Sequence, residues 1–123
     1  MGKRVLVFGT FDGLHPGHVF FLRKAKSKGD ELVVGVARDK HVEALKDKRP
    51  VNIENKRLKA VANQALVHEA FLCDLDLGSF NIMKEVAPDL IVLGYDQVDL
   101  ENALLEWMSE EDQYIPMQRI KKL

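Results

Sequence analysis

The sequence has very little cysteine: Cys73 is the only one in 123 residues. An internal disulfide is therefore impossible, and small folds held together by several disulfides are excluded. Charge of one sign is also lacking, because 18 basic and 19 acidic side chains leave a formal net charge of −1. Domains that bind DNA or RNA usually carry a clear basic excess. This balance of charge argues against nucleic acid as a partner.

Long hydrophobic runs are absent as well. No apolar stretch approaches the roughly 20 residues that a membrane-spanning helix needs, and the apolar run near the N-terminus stops at Gly9, too early for a signal peptide. We therefore expect a cytoplasmic protein with no membrane partner. The composition, with 46% hydrophobic and 30% charged residues, is typical of a globular fold, and the length predicts one domain over residues 1–123.

What the sequence does contain is a series of short apolar runs. They are "RVLVFG" (4–9), "ELVVGVA" (31–37), "AFLCD" (70–74) and "LIVLG" (90–94). Runs that are apolar throughout, rather than alternating, predict strands covered on both faces, as in a parallel sheet. A last segment, 113–120, alternates and contains Pro116, which predicts a strand at the edge of the sheet.

Segments with helical periodicity separate these runs. The first follows His18 and is predicted to end at Gly29 in the left-handed conformation. The others cover 54–66, 79–87 with Ser79 as N-cap, and 99–110. Strands that alternate with helices predict a doubly wound α/β fold with right-handed crossovers. We expect about five parallel strands in the order 3-2-1-4-5.

This strand order predicts where a ligand binds. The chain reverses direction between the first and fourth strands, and open α/β sheets bind ligands at such a reversal, beyond the carboxyl ends of the strands. Gly9 ends the first strand and Gly94 ends the fourth. The segments 9–18 and 94–97 are therefore expected to line one crevice from opposite sides.

Two histidines, His15 and His18, stand at the start of the first helix, and three interpretations apply to them. A zinc site is disfavoured, because it needs three or four ligands and the sequence has no H-E-x-x-H motif. A structural interpretation is that a histidine caps the helix after a Pro-Gly turn. In the third, both rings face a phosphate held by the free N–H groups of the helix end at Pro16–Gly17.

Two neighbouring residues are also expected to take part in the phosphate site. Thr10 contributes a hydroxyl group, and Gly9 lets the backbone approach a ligand closely. The spacing of the glycines matches neither G-x-G-x-x-G nor the phosphate loop G-x-x-x-x-G-K-[ST]. We therefore expect a different kind of phosphate site, in which imidazoles take part.

The stretch "GTFDGLHPGH" resembles the H-x-G-H motif of the nucleotidyltransferase superfamily, in its cytidylyltransferase-like branch. The resemblance continues through "ARDKHVEALKDKRP", "IENKRLKAV" and "PDLIVLGYDQ", and so covers nearly the whole chain. Within this branch the sequence is most similar to the archaeal-type FAD synthetases, which adenylylate FMN. Glycerol-3-phosphate cytidylyltransferases come next. The resemblance implies a Rossmann-like fold.

The resemblance also implies a reaction. A nucleoside monophosphate moves from a triphosphate to a phosphorylated acceptor, and pyrophosphate is released. ATP and FMN are the substrates expected first, and CTP with glycerol 3-phosphate is the alternative. An alternative of another class is a nucleotide-binding module without turnover. Mg²⁺ or another divalent cation is expected to arrive with the nucleotide rather than at a metal site of the protein, and a homodimer is possible.

The site residues follow from the same resemblance. The predicted catalytic residues are His15, His18, Lys46 and Arg119. The predicted nucleotide-binding residues are Gly9, Thr10, Phe11, His15, Pro16, Gly17, His18, Lys46, Gly94, Asp96 and Gln97. Two further residues have readings outside this set. Asp12 is interpreted as part of an Asx-type turn, and Arg57 either supports the phosphate site or pairs with a carboxylate at the surface.

One motif of the family has no counterpart in the sequence. Relatives carry a Ser/Thr-rich motif after the fifth strand that grips the β- and γ-phosphates, whereas this sequence reads "PMQRIKKL". Arg119 matches the basic residue just before that motif. We interpret the sequence as truncated or trimmed before the motif; the alternative is a weak or inactive relative.

Overall fold

The computed structural model describes residues 2–75 and 79–121. Its elements in chain order are β1 (Arg4–Gly9), α1 (Pro16–Lys26), β2 (Glu31–Val36), α2 (Asp39–Lys46), α3 (Glu54–Ala62), β3 (Glu69–Leu72), α4 (Ile82–Val86), β4 (Leu90–Leu93), α5 (Val98–Glu110) and β5 (Met117–Arg119). The strands form one sheet in the order β3-β2-β1-β4-β5, and every pair is parallel. The predicted fold class and strand order are confirmed.

The hydrophobic core lies on both faces of the sheet. Successive residues of a strand point to opposite faces. Val5 and Val7 of β1 therefore pack in one cluster with residues of α1 and α3, and Leu6 and Phe8 pack in another with residues of α4 and α5. This burial explains the continuous apolar runs, since each fully buried Val or Leu contributes about 1.5–3 kcal/mol.

The helix α2 was not predicted from the sequence. Its residues "DKHVEALK" include four charged side chains, and the segment beyond them is a charged run. Of the α2 side chains that the structure describes, Val42 is the buried one. None of the helices within 2–75 and 79–121, of which α5 with 13 residues is the longest, is long and apolar enough to cross a membrane.

The end of α1 differs from the prediction. The helix ends at Lys26, and Gly29 does not have a positive φ. Glycine is required there for another reason, because a Cβ atom at Gly29 would lie 2.6 Å from Cγ2 of Val5 and 2.9 Å from the carbonyl oxygen of Lys3. The prediction of a left-handed C-cap was wrong; the position serves close packing of the chain against β1.

The start of α4 also differs. The helix covers only Ile82–Val86, and Ser79 is not its N-cap. The hydroxyl of Ser79 donates to the carboxylate of Asp74, which also accepts the N–H groups of Asn81 and Ile82. A carboxylate that follows β3 therefore takes the capping position that we assigned to Ser79.

Candidate active site

The carboxyl ends of β1 and β4 are joined by one side chain, that of Gln97. Its Oε1 accepts the N–H of Gly94 at 2.8 Å, and its Nε2 donates to the carbonyl of Phe8 at 2.9 Å. The structure thus brings the two predicted loops, 9–18 and 94–97, to the same end of the sheet, where the crevice is predicted. Both polar atoms of the Gln97 amide are bonded to backbone, so this residue fixes the shape of the crevice. Asp96, beside it, is exposed.

The two histidines of the motif cap α1 and bind each other. His15 is the N-cap residue, and its Nδ1 accepts the N–H of Gly17 at 3.1 Å and that of His18 at 3.4 Å. In return, Nδ1 of His18 accepts the N–H of His15 at 3.3 Å. The two rings stack with centroids 3.7 Å apart. Because each Nδ1 accepts, the neutral rings carry their proton on Nε2.

This geometry shows the capping role of the histidines directly. It also places both rings at the N-terminus of a helix with no acidic residue in its first turn, which is where an anion is held. Gly17 makes the arrangement possible, since a Cβ atom there would lie 2.9 Å from Cε1 of His15. Pro16 is the first residue of the helix, a position in which its missing N–H costs nothing.

Gly9 and Phe11 shape the floor of the crevice together. A Cβ atom at Gly9 would lie 2.6 Å from the ring of Phe11, so the glycine makes room for that ring. Phe11 is buried at φ 53°, an uncommon conformation for a residue with a side chain. Its ring meets that of His18 edge to face, with centroids 5.4 Å apart. The aromatic ring thereby supports the imidazole from the protein side.

The pKa of His18 lies below its ordinary value. Burial lowers it most, the nearby His15 and Lys46 lower it further, and a hydrogen bond with the backbone of Gly13 opposes them. His18 is therefore neutral at pH 7. In the unfolded chain this histidine has its ordinary pKa of about 6.5. As the pH falls, the unfolded state therefore binds a proton before the folded state does. Through this residue the fold loses stability as the pH falls below that value.

Asp12 joins the motif loop to a distant part of the chain. Its carboxylate accepts the N–H groups of Val51 at 2.6 Å and of Asn52 at 2.9 Å, and also the side-chain amide of Asn52. Burial raises the pKa of Asp12, but these hydrogen bonds and the charge of Arg57 outweigh it and hold the pKa below its ordinary value. The expected Asx-type turn is therefore not the contact observed, because these partners lie about 40 residues away in the sequence.

Arg57 is buried, and its guanidinium is shared among three partners. It donates to the carbonyl of Thr10 at 2.8 Å, to the carbonyl of Asn52 at 3.0 Å and to the carboxylate of Asp39 at 2.6 Å. Of the two interpretations, pairing with a carboxylate is the one observed, but the pair lies in the interior and not at the surface. Arg57 therefore holds the backbone of Thr10 beside the crevice.

The two predicted phosphate-binding cations lie on different elements. Lys46 is the last residue of α2; it is exposed, and its charge reaches His18. Arg119 ends β5 and forms an ion pair with Glu101 of the first turn of α5. The sequence analysis did not name Glu54 and Glu101, which pair with Arg38 and with Arg119. The sequence shows Glu54 three residues before Arg57, but this spacing does not reveal which groups the Glu54 side chain contacts.

No three side chains of His, Cys, Asp or Glu converge within 2–75 and 79–121. His41 instead lies 2.9 Å from the carbonyl of Leu75, and His68 pairs with Glu31 near the start of β2. Cys73, just after β3, is a poor nucleophile, because burial raises the pKa of its thiol to about 12. The histidine pair at α1 therefore has no third ligand among these residues.

Comparison with known proteins gives the family. Residues 6–119 match the family described as Cytidylyltransferase-like. The FAD synthase of Methanococcoides burtonii is 50% identical over 95 residues, which cover 76% of this chain and 64% of that protein. The FAD synthase of Aciduliprofundum boonei is 44% identical over 119 residues, 97% of this chain and 78% of that protein.

A solved structure matches over the whole chain. It is that of a lipopolysaccharide core biosynthesis protein from Thermoplasma volcanium, with a TM-score of 0.88 and 36% identity, covering 100% of this chain and 99% of that one. The chain therefore belongs to the cytidylyltransferase-like family, with FAD synthases among its relatives.

Proposed function

We propose that this protein is an FMN adenylyltransferase, which makes FAD from ATP and FMN. The observation that carries the proposal is an intact "HPGH" helix start opposite "GYDQ" in a chain 44% identical to an FAD synthase over 97% of its length. The relatives are longer than this chain, so the activity is a proposal for the part described. A cytoplasmic location and a homodimer remain expectations that accompany it.

The proposed reaction is a single in-line displacement. A phosphate oxygen of FMN attacks the α-phosphorus of ATP, a P–O bond forms, and the bond from the α-phosphorus to the oxygen bridging to the β-phosphate breaks. Pyrophosphate leaves with the electron pair of that bond. Catalysis of such a step depends on positioning and on stabilising charge on the transferring group. No covalent bond to the protein is required.

The start of α1 supplies donors for that charge. The N–H groups of Gly17 and His18 at the helix start donate to Nδ1 of His15 in the free protein. A phosphate oxygen that takes the place of Nδ1 releases the His15 ring, which can then donate to the same phosphate. His18 and the Thr10 hydroxyl complete the set of donors in this proposal, and Gly9 with Phe11 forms the floor.

The pyrophosphate end is assigned to Lys46 and Arg119. Arg119 must exchange its contact with Glu101 for phosphate oxygens, which is a favourable exchange because a guanidinium matches phosphate geometry. We take Mg·ATP as the substrate, with the cation held by triphosphate oxygens, since Mg²⁺ is commonly bound through substrate phosphates. The carboxylates described around the crevice form no cluster that would hold it.

The loop 94–97 is assigned to the base. The loop follows β4, which ends at Leu93, and α5 begins at Val98 just after Gln97; Asp96 is exposed within the loop. Gln97 fixes the loop through its bonds to Gly94 and Phe8. Asp96 and the backbone groups of the loop are therefore the groups that we expect to contact the base.

Incubation with Mg·ATP and FMN is expected to yield FAD and pyrophosphate in equal amounts, measured by chromatography and a coupled pyrophosphate assay. Three matched arms use CTP with FMN, ATP with glycerol 3-phosphate, and CTP with glycerol 3-phosphate. Product only in the last arm would replace the proposal by the cytidylyltransferase alternative. Nucleotide binding without pyrophosphate in any arm would favour a binding module.

Binding of Mg·ATP is expected to cause proton uptake near pH 6.5. The pKa of His18 is lowered in the free protein by burial, His15 and Lys46, and nearby phosphate charge opposes all three effects. Calorimetry in two buffers of different ionisation enthalpy measures the number of protons taken up. The uptake should disappear above about pH 8.5, where the ring is neutral in both states. Equal apparent enthalpies in both buffers at pH 6.5 would contradict a phosphate beside His18.

A further inference from the structure

The N-termini of α2 and α3 meet head to head, and each is capped by the other. The N–H of Asp39, the first residue of α2, donates to Oε1 of Glu54 at 2.9 Å. The N–H of Glu54, the first residue of α3, donates to Oδ2 of Asp39 at 3.1 Å. Neither helix receives a side-chain hydrogen bond from its own N-cap residue, Arg38 or Ile53.

Two arginines neutralise this pair of carboxylates. Arg38 lies 3.0 Å from Oε2 of Glu54 and also donates to the carbonyl of Cys73. Arg57 lies 2.6 Å from Oδ1 of Asp39 and also holds the carbonyl of Thr10. Through the two arginines, the carboxylate pair at the ends of the segment 39–54 is connected both to the end of β3 and to the motif loop. Negative charge at two helix N-termini is also favourable.

Lys46 lies in the segment 39–54, whose two ends are joined by the contacts between Asp39 and Glu54. Among the described side chains of α2, Val42 is the buried one, and His41 adds a contact with the carbonyl of Leu75. Beyond the helix, the N–H groups of Val51 and Asn52 donate to Asp12, so the reciprocal cap is the contact that fixes the N-terminal end of α2. The far end of the helix places the Lys46 charge near His18.

We propose that Asp39 and Glu54 are positioning residues for nucleotidyl transfer: their reciprocal cap forms a latch that holds Lys46 opposite His18 across the phosphate site. This proposal rests on the proposed function for its effect on turnover. Its effect on the distance between Lys46 and His18 is independent of which substrates are used. Loss of the latch leaves Lys46 and His18 chemically intact but no longer aligned on one triphosphate.

Three variants test the latch. Glu54→Ala removes the acceptor of the Asp39 N–H, whereas Glu54→Gln keeps one acceptor oxygen and loses only the charge. Glu43→Ala is the matched control, because Glu43 is an acidic residue of the same segment whose partner is the exposed Arg49. Melting curves identify the temperature range in which all three are folded.

Glu54→Ala is expected to lower kcat/KM for ATP on the order of tenfold, because small displacements of a positioned group are costly. Glu54→Gln should recover most of that loss, and Glu43→Ala should match the unmodified protein. Equal activity of Glu54→Ala and the control would overturn the proposal. So would equal losses in Glu54→Ala and Glu54→Gln, because the charge and not the cap would then matter.

The pKa of His18, followed by NMR of its ring proton, is the readout that needs no turnover. If Lys46 moves away in Glu54→Ala, the pKa of His18 rises, while the effects of burial, His15 and the Gly13 backbone stay. Removal of the Glu54 charge alone would lower that pKa, so the sign separates the two causes. An unchanged or lower pKa overturns the latch. A raised pKa in a protein that makes no FAD supports the latch and refutes the proposed function.

Discussion

Replacement of His18 by alanine is expected to reduce kcat on the order of 10²–10³-fold, the usual loss when one donor to a transition state is removed. Affinity for Mg·ATP should fall much less, because the additional negative charge on the transferring group develops in the transition state. Single-turnover formation of FAD, together with nucleotide titration, separates the two quantities.

The same substitution also removes part of the helix cap. His18 accepts the N–H of His15, so its loss is expected to cost about 1 kcal/mol of stability, the typical value for an N-cap contact. A purely structural role therefore predicts a lower melting temperature with unchanged turnover per folded molecule. Full kcat in the folded variant would remove the main reason to regard this protein as an enzyme.

His68→Ala is the matched control for this experiment. His68 is half exposed, lies just before β3, and pairs with Glu31. It is a histidine with a carboxylate partner, and it lies near the amino ends of the strands, whereas the motif lies at their carboxyl ends. Its substitution should leave kcat unchanged and alter stability only slightly, as expected for an exposed side-chain contact.

The sheet could be predicted from the sequence because its signal is local. The three central strands β1, β2 and β4 are short apolar runs buried on both faces, and the alternation with helices leaves few possible topologies. Burial of β1, β2 and β4 in the structure matches those runs closely. The reversal between β1 and β4, on which the prediction of a ligand crevice rests, follows from the same confirmed strand order.

The supports of the site could not be predicted, because they join residues far apart in sequence. The bond from Asn52 to Asp12 spans 40 residues, and that from Arg57 to Thr10 spans 47. The helix α2 was missed because it is short and half of its eight residues are charged, so it has no long apolar stripe. Gly29 was misassigned for a related reason, because tertiary packing brings Val5 against it. Ser79 was misassigned because Asp74, five residues before it, accepts the N–H groups at the start of α4.

Replacement of Arg57 by leucine is expected to destabilise the fold by about 3–5 kcal/mol, the usual cost when one partner of a buried ion pair is removed. The substitution leaves the Asp39 carboxylate without its nearest cation, and it leaves the carbonyls of Thr10 and Asn52 without a donor. In a domain of this size the melting temperature should fall on the order of 10–20 °C, measured by calorimetry.

Two further variants make this result specific. Arg57→Lys keeps the positive charge but cannot reach three acceptors with one planar group, so its stability should lie between those of the other two proteins. Arg49→Leu is the matched control, because Arg49 is exposed and pairs only with Glu43 among the partners described; its effect should stay within about 0.5 kcal/mol. If Arg57→Leu melts together with Arg49→Leu, the buried guanidinium does not hold the motif loop. If it melts far below, the backbone of Thr10, and with it the floor of the phosphate site, depends on a residue of α3.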